Sequence, residues 1–128
     1  MKLRTINLPW RSAHTNSITE IFLPATPWMS APQVKKLRAT FEVRTLTGVF
    51  SVAPAAQVAD VEDNPGSHNL IGEAKTADGY YYPLGFDDAE TTTQGKQLVR
   101  FGWAVKNTTG TADSTGRFAA MIEIELCA

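Results

Sequence analysis

The chain has one cysteine, two histidines and almost no net charge, and each scarcity removes a class of protein. Cys127 has no internal disulfide partner, and with only the distant His14 and His68 beside it the chain cannot supply a structural zinc site. No metal and no cofactor is expected, so stability must come from packing. Twelve basic against 13 acidic residues leave a formal charge of -1. That balance lacks the basic footprint of nucleic-acid binding, and no nucleic-acid partner is expected. After Lys2 and Arg4 there is no continuous apolar run of the signal-peptide kind, and no stretch approaches a membrane helix in length. The expectation is a soluble protein with no membrane partner.

Catalytic groups are equally sparse. His14 and His68 are the side chains that ordinarily titrate near neutrality, with Ser12, Ser17 and Ser67 close by in sequence. No nucleophile elbow, spaced acid pair or Cys-His arrangement accompanies them, so no catalytic residue is assigned and a non-enzyme is expected. Two acidic stretches, Asp60, Glu62 and Asp63 and then Asp87, Asp88 and Glu90, offer oxygens of the type calcium takes. Neither has the spacing of a calcium loop, and both read as solvated surface charge. The sequon Asn107-Thr108-Thr109 reads as a turn at a strand end.

What the chain does have is alternation. It is 128 residues long, with 43% apolar and 20% charged residues, which suits one domain around one core. In residues 97–107 (QLVRFGWAVKN), Val99, Phe101, Trp103 and Val105 fall at every second position; in residues 117–126, Phe118, Ala120, Ile122, Ile124 and Leu126 do the same. The pattern predicts two paired strands, with Glu123 and Glu125 facing Arg100 or Lys106 across the ladder. Residues 37–52 predict a second hairpin about Thr47-Gly48, and residues 70–76 and 80–84 a third about Ala77-Asp78-Gly79. Residues 53–61 are ambiguous between a helical turn and a loop. Residues 62–69, 90–95 and 108–116 are polar, turn-rich connections. Phe41, Phe101, Trp103, Ile122 and Ile124 are expected in one core. About seven strands with no amphipathic helix of length predict an all-β fold, an antiparallel β-sandwich or jelly roll, with a closed barrel as the alternative.

Residues 1–36 read differently. Pro9, Pro24, Pro27 and Pro32 interrupt them and no period is sustained, which predicts an extended N-terminal arm with one short edge strand at 17–23, ahead of a sandwich domain at 37–128. Trp10, Trp28 and Phe22 lie in this arm and need cover. They either staple the arm to its own sandwich or dock on a neighbouring subunit, where aromatics are enriched. On the docking reading they are the candidate interface residues, and residues 1–16 are dispensable for folding.

Tyr80, Tyr81 and Tyr82 are an aromatic run beside Asp78. Consecutive strand residues point to opposite faces, so Tyr81 is separated from Tyr80 and Tyr82, and at least one ring belongs to the core. Tyr80 and Tyr82 are the candidate ligand platform.

A Pro-rich arm, a small β-sandwich and Thr/Gly/Ala/Ser-rich loops at 57–69, 90–95 and 108–116 together resemble the accessory structural proteins of tailed bacteriophage particles, in the style of head decoration or cement proteins. The resemblance implies a non-enzymatic virion component made in the host cytoplasm and placed on the particle surface. Its implied partners are the major capsid protein and further copies of itself, often as a trimer. A carbohydrate-binding sandwich module using the tyrosine run, and a head-closure or tail component, are the alternatives, because one fold hosts many functions.

Overall fold

The computed structural model describes residues 2–83, 85–110 and 114–127. In chain order the elements are β1 (Lys2–Thr15), β2 (Ile21–Pro24), β3 (Met29–Ser30), a 3-10 turn (Ala31–Gln33), β4 (Val34–Thr47), β5 (Phe50–Ala59), β6 (His68–Leu70), β7 (Gly79–Tyr81), β8 (Asp87–Asp88), the single-turn helix α1 (Glu90–Thr93), β9 (Leu98–Asn107) and β10 (Ser114–Leu126). They form two antiparallel sheets. One runs β1-β10-β4-β7, with β8 also on β4; the other runs β2-β9-β5-β6, with β3 also on β9.

With β2 and β3 read as one interrupted strand, and β7 and β8 as another, the chain changes sheet at every connection except β5 to β6. That is jelly-roll connectivity, and the fold is a sandwich rather than a closed barrel. The alternation supplies the inner faces of three strands, Leu37, Phe41 and Val43 on β4, Phe118, Ile122 and Ile124 on β10, and Val99, Phe101, Trp103 and Val105 on β9, and Phe50, Val52 and Val58 of β5 join them. The five residues expected in one core all lie in it.

The strand pairings differ from expectation. β9 and β10 are not a hairpin; they belong to opposite sheets and meet across the core. β4 and β5 are likewise in opposite sheets, as are β6 and β7. Alternation identifies a strand's apolar face, but a hydrogen-bonded neighbour and a strand facing it across the sandwich show the same period. Glu123 consequently pairs with Arg38 of β4, with Nε 2.9 Å from Oε1, and not with Arg100 or Lys106. The third predicted hairpin falls partly outside the described residues, at position 84, as does the predicted loop at 108–116, at positions 111–113.

The expected arm is also different. Residues 2–15 are the edge strand β1, paired with β10 from Lys2↔Leu126 to Thr15↔Ser114. Between Leu8 and Arg11 two residues, Pro9 and Trp10, oppose only Ala119, which is a β-bulge. The bulge shifts the phase, so that the two buried residues, Leu8 and Thr15, are an odd number of positions apart. Proline sits there at no cost to the ladder, and it blunts a long exposed edge.

The stretch left ambiguous at 53–61 is mostly β5, a central strand containing Pro54. Val52 and Val58 both hydrogen-bond toward the β6 side, which sends the Pro54 nitrogen the same way, and there the ladder jumps from Ala55↔Leu70 to Val52↔Lys75. Proline thus falls where a ladder bond is already interrupted. The polar stretch 90–95 contains α1 and closes with Gln94 in the left-handed region at φ 54°.

Candidate functional site

Two surfaces and one cleft collect the residues singled out in the sequence. The first surface is the outer face of the β2-β9-β5-β6 sheet. Its centre is made of small residues, with Ala53 opposite Ala104 and Ala55 opposite Gly102. A methyl group on Gly102 would lie 2.1 Å from the Leu23 carbonyl oxygen and 3.0 Å from the Phe22 ring. The absence of side chains there lets β2 approach closely and lets Phe22 lie over the central strands. Phe22 stacks on His68 of β6, with ring centroids 5.7 Å apart and planes at 25°. His68 Nε2 is 2.7 Å from Glu20 Oε1. Arg100 donates from Nε and Nη2 to Gln57 Oε1, at 2.9 and 2.7 Å, and its guanidinium lies 4.4 Å from the centre of the Trp28 ring. Phe22 and Trp28 are therefore joined through Arg100, half-buried on their own sandwich.

Trp10 lies elsewhere, on the outer face of the other sheet. It projects from the β1 bulge, 43% exposed, with the guanidinium of Arg117 5.2 Å and that of Arg44 5.7 Å from its ring. Arg117 and Arg44 are registered partners on β10 and β4, and Arg44 pairs onward with Glu42. The three aromatic residues proposed as one interface are thus divided between opposite faces. Sequence reading missed the arginines that organise both clusters. Their only signal was an outward position on a strand.

The cleft lies beside β7. β4 pairs with β7 through Phe41–Val43 and with β8 through Lys36–Leu37, and the cleft opens between those two pairings, at Ala39. An open space of about 840 Å³ results, floored by Ala39, Phe41 and Ile71 and edged by Tyr80, Tyr82, Glu73, Lys75 and Asp87. Tyr81 points inward: its ring packs 5.2 Å from that of Phe41 and its hydroxyl donates to the Ala77 carbonyl at 2.6 Å. Tyr80 and Tyr82 point outward, 62% and 69% exposed, with centroids 6.0 Å apart.

The remaining candidates are structural or dispersed. Asp78 accepts hydrogen bonds from the Thr45 and Leu46 amides, both at 3.0 Å, beside a residue at φ 52°. Asn107 is buried, and its Oδ1 accepts from the Thr109 and Gly110 amides, the turn expected of the sequon. Asp60 pairs with Lys96, while Asp87 and Asp88 form β8. Among the described residues no group of three or more His, Cys, Asp or Glu is placed to hold a metal ion. His14 lies exposed on β1, in the sheet opposite His68. Among the described residues, no helix is long and apolar enough to cross a membrane.

No protein-family model matches this chain, and no curated protein matches its sequence. In three dimensions it is similar to a chain in the structure of infectious bursal disease virus, Gx strain, with a TM-score of 0.60 and 9% identity. The similarity covers 96% of this chain and 31% of that one. At that identity the likeness is one of fold.

Proposed function

We propose that this chain is a non-enzymatic structural protein of a virus particle, and that it acts as a decoration protein that binds and stabilises the capsid lattice of a tailed phage. The observation that carries the reading is the jelly-roll order of the sheets, matched along nearly the whole chain by part of a chain from a virus structure. Jelly rolls are a common architecture of viral shells. The loop architecture and near-neutral charge fit a subunit on a particle surface, and the decoration role rests on the resemblance in construction. The proposed partners are the major capsid protein and further copies of this chain, as a trimer.

The Trp10 shelf is the contact surface of choice. An exposed tryptophan flanked by two arginines has the composition of an interface hot spot. Phe22 and Trp28 are already covered by their own sheet and support it. Purified protein mixed with empty heads of its source virus should co-sediment to a fixed ratio, and Trp10→Ala should weaken that association without lowering the melting temperature. Absence of any association with heads would refute the proposal.

A further inference from the structure

We infer that the cleft beside β7 is a binding site for a neutral oligosaccharide. Its volume of about 840 Å³ lies within the ~300–1,000 Å³ usual for ligand sites. Tyr80 and Tyr82 lie side by side, exposed at the cleft's edge, and tyrosine is a residue enriched at contact surfaces because its ring is apolar and its tip polar. Their outward direction is fixed from beneath. Tyr81, between them in sequence, is anchored to the core by Phe41 and to the chain by the Ala77 carbonyl, so the platform is formed before any ligand arrives.

The chemistry of the rim selects the class. Tyr80 and Tyr82 are tilted by 43° to each other and both are largely exposed, an aromatic pair open to solvent. A pyranose has a C–H face that rests on an aromatic ring and hydroxyls that need hydrogen-bond partners at its edge. Glu73, Lys75 and Asp87 supply acceptors and donors around the platform. Lys75 is already engaged, 3.6 Å from Glu73 and 5.1 Å from the centre of the Tyr81 ring. With two carboxylates against one occupied ammonium, the rim disfavours sialylated or sulfated sugars. A purely apolar ligand would desolvate these charges without offering them hydrogen bonds. The site is independent of the particle reading, since it asks only that the cleft be open.

The test is a printed glycan array probed with the protein tetramerised on streptavidin, which raises weak single-site binding by avidity. Binding to neutral glycans is expected. Tyr80→Ala and Tyr82→Ala should each lower the affinity for the strongest array hit about tenfold or more, measured by calorimetry. Tyr80→Phe and Tyr82→Phe keep the rings and should retain most of the binding, so that loss of the ring is separated from loss of the fold. Melting temperature and co-sedimentation with heads should be unchanged in all four variants. The inference is overturned if no glycan is bound, if binding is confined to anionic glycans, or if the alanine variants bind as well as the parent. A chain that ignores the array and instead binds proline-rich peptides through Tyr80 and Tyr82 also overturns it.

Discussion

The indole of Trp103 and the ring of Phe118 meet with centroids 4.5 Å apart and planes at 53°, joining β9 of one sheet to β10 of the other at the centre of the core. Both side chains are fully buried, and Phe41 reaches the same indole edge-on at 6.3 Å. Trp103→Ala removes contacts to two strands of the facing sheet at once. It should cost about 3–5 kcal/mol in denaturant unfolding, the usual range for deleting a large buried aromatic. Glu123→Ala breaks a partly exposed pair with Arg38 and should cost under ~1 kcal/mol. Equal losses in the two variants would contradict the placement of Trp103 inside and Glu123 outside.

Gly102→Ala tests the close approach of β2. The added methyl group meets a backbone carbonyl, which cannot rotate away as a flexible side chain can. Destabilisation of about 1–3 kcal/mol is expected. Hydrogen exchange should quicken at the Phe22 and Leu23 amides before it does at β5. A variant as stable as the parent, with unchanged exchange, would exclude the contact.

Thr45 carries backbone strain that Asp78 offsets. A β-branched residue at φ 52° is unfavourable, and it persists where the two carboxylate oxygens of Asp78 hold the Thr45 and Leu46 amides. Asp78→Ala should lower stability by about 0.5–1.5 kcal/mol, the net worth of hydrogen bonds whose exposed donors water can take over. Thr45→Gly should be neutral or stabilising, because glycine adopts this conformation freely. Thermal melts of both variants check the pair.

Deleting residues 2–15 should not leave an intact sandwich. The deletion strips β1 from β10, removes the buried Leu8 and exposes the next strand's edge over its full length. A collapsed melting temperature or aggregation is expected. A truncated protein that melts like the parent would restore residues 1–16 as an arm dispensable for folding.

What could be read from sequence follows from what each strand buries. Residues 37–43, 99–105 and 118–124 alternate because each has one face in the core, and their inner residues are those the periodicity selects. β5 does not alternate, since Ala53, Ala55, Ala56 and Ala59 are buried on both of its faces. β1 is concealed by its bulge. The site was legible only as separate aromatics: Phe22, Trp28 and Trp10 stand out by type, but the convergence of Arg100 and His68 on Phe22, and of Arg44 and Arg117 on Trp10, depends on strand pairings that a single sequence does not contain.

The most direct test of a structural role in the virion is the copy number of this chain in particles purified from its source through a density gradient, measured by quantitative mass spectrometry against the major capsid protein. The expected result is a fixed ratio, reproducible between preparations and lowered by Trp10→Ala, as a lattice with defined sites requires. A chain absent from the particle fraction, or present at a ratio that drifts with washing, would contradict it.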